Sequence, residues 1–276
     1  MVQRMLKVLI LWFGLWVFSS AMAYDLPRDY PLRAEYPKVK PIELPELVQK
    51  YKEAVIVDVR SALEYNVIHI EKAEHIPLGT MTEEDLLALR DKTASEPLVF
   101  YCNGITCRKS YKAAIKAMEW GFRNVYCFDA GIFAWAVNVP EKTVFLGKKF
   151  TAEELKKRFI SKEKFKAHCL SPAEFIAKAK SKKFKVIDGR DYYMRNEFPI
   201  HLPNLENIPF DRMEKLIRNK SRKLTRKPLL IFDNVGKQVR WLQYLLEEYG
   251  FKDYYFLEGG VRKWREAGYD NYGNKK

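Results

Sequence analysis

Four short blocks of this chain recur in the same order roughly 130 residues further on, and this duplication constrains the fold more than any other feature. Val55-Ile-Val-Asp-Val-Arg60 is answered by Lys185-Val-Ile-Asp-Gly-Arg190, and Leu98-Val-Phe-Tyr-Cys102 by Leu229-Leu-Ile-Phe-Asp233. Gly121-Phe-Arg-Asn-Val-Tyr126 is answered by Gly250-Phe-Lys-Asp-Tyr-Tyr255, and Gly131-Ile-Phe-Ala-Trp135 by Gly260-Val-Arg-Lys-Trp264. The offsets are 130, 131, 129 and 129 residues. A chain of 276 residues therefore holds two copies of one unit, each long enough to enclose a core.

Within each copy, short β-rich runs alternate with helical patterns. Residues 55–59, 98–102 and 124–128 read as strands in the first, and 185–188, 229–233 and 253–257 in the second. The runs are nearly continuous in apolar residues, as strands covered on both faces are. Ser61-Ala-Leu-Glu64, Thr151-Ala-Glu-Glu154 and Ser171-Pro-Ala-Glu174 have capping-box spacing and mark helix starts. The expected class is α/β, with a mainly parallel sheet flanked by helices in each unit. The units are placed at 41–140 and 171–272. Prolines 27, 31, 37, 41 and 45 predict an extended lead-in over 24–40 that forms no regular element. Residues 141–170 read as a basic connector with one short helix from Thr151.

Cys102 is the residue that points to chemistry. It ends an apolar run and opens the loop Cys102-Asn-Gly-Ile-Thr-Cys-Arg108, which leads into an amphipathic helix. In parallel α/β folds ligands sit beyond the carboxyl ends of strands. A thiol there, facing a helix N-terminus, meets amides and a dipole that favour an anion. Such a setting lowers a thiol pKa and predicts a thiolate nucleophile that attacks or carries an anionic group. Asp233 occupies the matching place in the second unit.

Arg4, Lys7, the apolar run 8–18 and Ala21-Met22-Ala23 have the pattern of an export signal cleaved after Ala23, which predicts a periplasmic or secreted chain. The run falls short of the roughly 20 residues of a membrane span, so no stable membrane insertion is expected. Net charge is +14, with the excess over 148–185 and 215–227. That excess reads as a solvated surface or, more sharply, as a field steering anionic substrates or an acidic protein partner. For an exported chain, nucleic acid is not an expected partner. The four cysteines, Cys102, Cys107, Cys127 and Cys169, are too few for a disulfide framework, and Cys127 reads as a core thiol. No cofactor or metal is expected.

Together these residues resemble the rhodanese-like sulfurtransferases. Asp58-Val-Arg60 is similar to the family's D-x-R after the first core strand. His69-Ile-Glu-Lys-Ala-Glu-His-Ile-Pro77 is similar to its G-H-I-x-G-A-x-x-I-P segment, with Ile68 and Lys72 where glycines are usual. Cys102-Asn-Gly-Ile-Thr-Cys107 resembles a two-cysteine form of the active loop, and Gly131-Ile-Phe-Ala-Trp135 the closing G-x-x-x-W. The resemblance implies two tandem rhodanese-like domains. It also implies a Cys102 thiolate that takes the outer sulfur of an anionic donor such as thiosulfate and passes it from a persulfide to a thiol or cyanide acceptor. Asn103, Gly104, Ile105, Thr106, Cys107 and Arg108 would then hold the persulfide through backbone N–H groups. Gly104 would allow close backbone approach, and Arg108 would attract the oxyanion or simply lie on the surface. Cys107 would either pair with Cys102 to resolve or protect the sulfur, or pack under the loop.

Asp233 cannot carry sulfane sulfur, so the second unit is expected to be silent, with Lys237 pairing Asp233. Two other functions stay open. Cys102-x5-Arg108 satisfies the spacing of cysteine phosphatases, although Tyr101 stands where their commonest signature has His and a second thiol lies inside the loop. A non-catalytic sulfur carrier or binding protein is the third reading.

Overall fold

The computed structural model describes residues 29–275, so the segment expected to be an export signal lies outside the described residues. Both copies fold around a five-stranded, all-parallel sheet. In the first the order is Lys40–Pro41, Val125–Phe128, Leu98–Tyr101, Val55–Asp58, Glu74–His75. In the second, Cys169–Leu170, Tyr254–Leu257, Leu229–Phe232, Lys185–Asp188 and Leu205–Asn207 repeat that order. The register repeats as well: Asp58 pairs with Tyr101, and Asp188 with Phe232. All three expected capping boxes form, at Ser61, Thr151 and Ser171, each with its glutamate reaching back to the cap amide.

Strand periodicity assigns each face to a core. Ile56 and Val99 point one way, Val57 and Phe100 the other, and each of the four is buried. Val186 and Leu230 likewise face the second unit's private core, while Ile187 and Ile231 face away from it. The remaining faces do not form two separate cores. Ile56, Val99, Ile187 and Ile231 all belong to one continuous apolar cluster shared by the two units.

Two expectations for the segments outside the units are corrected. The connector has more than the one short helix expected from Thr151. It holds a strand, Thr143–Phe145, paired antiparallel with Ile68–Ile70, and two helices, Ala152–Arg158 and Lys162–Lys166. Phe145, Leu155 and Ile160 are buried in the shared core, so apolar side chains among the lysines fix its path. The lead-in is not uniformly extended either. Leu32–Glu35 forms a helical turn with Leu32 buried, and Lys40–Pro41 adds a strand to the sheet edge beside Tyr126 and Cys127. Pro41 is tolerated there because an edge strand has one unpaired side.

Phe133 stacks on Trp241 with ring centroids 5.3 Å apart, and Phe145 meets Tyr244 edge-on at 5.6 Å. The Tyr244 hydroxyl accepts the Ile160 amide at 3.1 Å. Polar contacts cross the same boundary, with Asn66 donating to Glu214 at 3.1 Å and Ser61 to Gln238 at 3.0 Å.

Candidate active site

Cys102 follows the central strand Leu98–Tyr101 and is completely buried. The loop turns sharply after it: Gly104 sits at φ +141°, and the Cys107 amide donates to the Gly104 carbonyl at 2.8 Å. This turn folds Cys107 back over Cys102. The Cys102 sulfur lies 3.2 Å from the Cys107 carbonyl oxygen and 3.2 Å from the Ser110 hydroxyl. The helix Lys109–Glu119 begins only seven residues after Cys102.

The electrostatics reverse the expectation for Cys102. Burial pushes its thiol well above the usual range, and the neighbouring Cys107 adds to this against the opposing Ser110 hydrogen bonds. Cys107 moves the other way. The hydrogen bond from Cys102 outweighs burial and, with the backbone amides of Asn103 and Lys109 and the Lys109 ammonium, holds Cys107 down at about 6. The physical reason is loop length. Cys107, two residues before the helix, reaches the amides and dipole that the sequence assigns to Cys102. Of the two sulfurs, the outer one is the more readily ionised.

A cleft of about 890 Å³ opens above this loop, between the units. Asn103, Thr106, Cys107 and Arg108 line it; Cys102, Gly104 and Ile105 do not. Phe133, Phe159 and Trp241 supply apolar walls, and Arg108, Lys109, Lys112, Lys237 and Arg240 supply cations. Arg108 does not point into the cradle. Its guanidinium makes a two-pronged pair with Glu35 at 2.8 and 3.0 Å and is half-exposed.

Three contributors escaped the sequence reading. Glu64, there only a cap residue, is buried and accepts from the Asn103 side chain at 2.6 Å and from Ser61. Burial opposes its charge, but Lys109, Arg60, Asn103 and Ser61 together hold its carboxyl down at about 2. Arg60 grips Asp58 through Nε at 2.9 Å and Nη2 at 2.6 Å and extends Nη1 to Asn103 at 3.3 Å. The family-like D-x-R thus braces the loop from below. Ser110, the third, faces the Cys102 sulfur. The capping box and the D-x-R signalled Glu64 and Arg60; no local pattern signals Ser110. Cys127 is a buried core thiol pushed far up by burial, as expected, and burial raises Cys169 to about 11.

In the second unit the carboxylate of Asp233 fills the space under its loop. It accepts backbone N–H groups from Val235 at 3.0 Å, Gln238 at 2.6 Å, Val239 at 3.3 Å, and Gly236. The exposed Lys237 is not among its partners, which corrects the expected ion pair. The helix there starts five residues after Asp233, so this loop is two residues shorter than the first. An anion cradle does form in the second unit, and its own carboxylate occupies it. We expect Asp233→Ala, which strands these amides, to lower stability by about 2–4 kcal/mol. Sulfur transfer per folded molecule should stay within about threefold of the parent, since Cys102 and its loop partners are untouched. Thermal unfolding and initial rates on one preparation check both; loss of most transfer in folded protein would give Asp233 a part in the chemistry.

The family profile described as "Rhodanese-like domain" matches twice, at residues 41–138 and 171–267. Curated relatives include tRNA uridine(34) hydroxylases. That of Pectobacterium carotovorum subsp. carotovorum is 33% identical over 42% of this chain and 34% of its own length. That of Hamiltonella defensa is 31% identical over 50% of this chain and 39% of its own. The chain thus spans between a third and two fifths of these relatives. Among solved structures, a thiosulfate sulfurtransferase from Pseudomonas aeruginosa aligns over 86% of this chain and 44% of its own, at 16% identity and a TM-score of 0.41. With the family profile covering both sheets and both loops, this chain belongs to the rhodanese-like sulfurtransferase family and carries two copies of its domain.

Proposed function

We propose that the first unit transfers sulfane sulfur from an anionic donor, thiosulfate or a persulfide, to a thiol or cyanide acceptor through a persulfide on Cys102. The observation that carries this reading is the pair of cysteines folded together on one tight loop beneath a cationic cleft. Cys107, as thiolate, takes the Cys102 proton while the Cys102 sulfur attacks the outer sulfur of the donor; sulfite leaves with the bonding electrons when the donor is thiosulfate. The cleft is far larger than thiosulfate, which leaves room for a bulkier acceptor, and its cations favour an acidic one.

Phosphate-ester hydrolysis is less well supported. Glu64, the one carboxylate among the described cleft residues, is ionised at neutral pH and has no proton for a leaving group. Arg108, the phosphate clamp in that reading, is engaged by Glu35. The tRNA hydroxylation named for the relatives belongs to proteins matched over only 34–39% of their length and does not enter this reading.

The test is the initial rate of thiocyanate formation from thiosulfate and cyanide beside hydrolysis of an aryl phosphate. Turnover of the phosphate alone would overturn the reading; a persulfide that forms once and is never passed on would favour the carrier. The pH profile is a second check. Persulfide formation should rise with pH through an inflection near the Cys107 value of about 6, because only the thiolate accepts the proton. Cys107→Ser leaves Cys102 with its raised pKa and no base. The inflection should move to alkaline pH and the neutral rate should fall by about tenfold or more. An unmoved profile would remove Cys107 from the step.

A further inference from the structure

Cys102 is closed off from the cleft, while Cys107 lies on the cleft wall with its carbonyl oxygen 3.2 Å from the Cys102 sulfur. A persulfide formed on Cys102 therefore places its inner sulfur next to a second thiol within the same turn. Resting on the transfer reading above, we propose that the first unit also releases the bound sulfur as sulfide, by closing a Cys102–Cys107 disulfide.

In this step the Cys107 thiolate attacks the inner, Cys102-bound sulfur of the persulfide. The Cys102–Cys107 sulfur–sulfur bond forms, and the bond to the outer sulfur breaks with its electron pair going to that sulfur. The outer sulfur leaves as hydrosulfide. Summed with loading from thiosulfate, two cysteine thiols and one thiosulfate give one disulfide, one sulfite and one hydrogen sulfide. The sulfane sulfur gains two electrons, and the two thiols lose them. Reopening the loop needs an external dithiol, which is oxidised to its own disulfide by thiol–disulfide exchange.

Three features of the loop fit this chemistry. The Gly104–Cys107 turn holds the two cysteines together without a long-range contact. The Asn103 and Lys109 amides and the Lys109 ammonium favour the anionic form of the attacking sulfur, and Cys107 at about 6 is ionised at neutral pH. Cys107 is also half-buried at the cleft, so an incoming dithiol can attack its sulfur while Cys102 stays enclosed. The second unit has neither thiol.

The experiment is a single turnover of the reduced full chain with thiosulfate and no added thiol. Sulfite and sulfide are quantified, and the protein is examined by intact mass and non-reducing peptide mapping. The expected result for the parent is sulfide equal to sulfite and a Cys102–Cys107 disulfide. Cys107→Ser and Cys107→Ala, given longer incubation at alkaline pH, should release sulfite without sulfide and become heavier by one sulfur at Cys102. A parent chain that releases sulfite but keeps its persulfide, with no sulfide, overturns this proposal and leaves transfer standing. No sulfite from any of the three proteins overturns both. The parent's product ratio decides the matter even if a Cys107 variant fails to fold.

Discussion

Cys102→Ser is expected to abolish sulfur transfer, lowering the rate by on the order of a thousandfold or more. The serine oxygen fits the space of the sulfur and keeps a hydrogen bond to Ser110, so the loop and fold should persist. The hydroxyl, however, is a far weaker nucleophile and cannot form the persulfide. Buried under the loop, it has only the Ser110 hydrogen bonds to favour an anion, and burial outweighs them. Cys127→Ser is the matched control, since that thiol is enclosed in the core on the neighbouring strand. Measured by thiocyanate formation, a Cys102→Ser protein with more than a few per cent of the parent rate would move the nucleophile elsewhere, with Cys107 the first candidate.

The second large effect is expected at Gly131. Its φ is +73°, and a methyl there would meet Gly104 Cα at 2.5 Å and the Asn103 carbonyl carbon at 2.6 Å. The left-handed backbone and the overpacking together predict a loss of about 2–5 kcal/mol for Gly131→Ala. The clash falls on the active loop itself. The Ile132 amide donates to the Cys102 carbonyl at 3.0 Å, so displacement of this segment drags the nucleophile with it. Gly260→Ala is the internal control. It has φ +64° and would meet the Asp233 carbonyl oxygen at 2.5 Å, with the Val261 amide bonded to that same carbonyl at 3.0 Å. Both variants should lower the unfolding midpoint to a similar degree, but only Gly131→Ala should lose transfer in the fraction that folds. Equal transfer losses in the two would mean that the two loops act on one site.

The sequence made the sheets legible because their strands are local apolar runs, and the duplication doubled each signal. Val55–Asp58 and Lys185–Asp188 lie within a residue of their expected limits, as do the other central strands. Capping boxes were equally legible, since their geometry lies within four consecutive residues. The connector was misjudged for the opposite reason. Phe145, Leu155 and Ile160 are scattered among lysines, and Tyr244, the partner of Phe145 and Ile160, arrives some 80–100 residues later, so no local pattern declares them buried. The site divided along the same line. The place of Cys102 followed from strand and helix order. Which of two thiols bears the charge depended on a turn of a few residues, and sequence fixes neither its direction nor the burial of Cys102. Glu64 and Arg60 converge on Asn103 from another segment, and only the folded chain brings them together.

The shared apolar cluster has a consequence for how such a chain can change over generations. After a duplication, a copy without the reactive thiol would ordinarily be free to erode and be deleted. Here Trp241 and Tyr244 of the second copy cover Phe133 of the first and Phe145 of the connector, and the connector is sealed into the same interior. A truncation that removed the second copy would leave those rings and Ile160 in water. Loss of the whole copy would therefore cost the first unit its cover, whatever chemistry the second loop has or lacks. The second half is inherited as a wall of the first, whatever becomes of its chemistry.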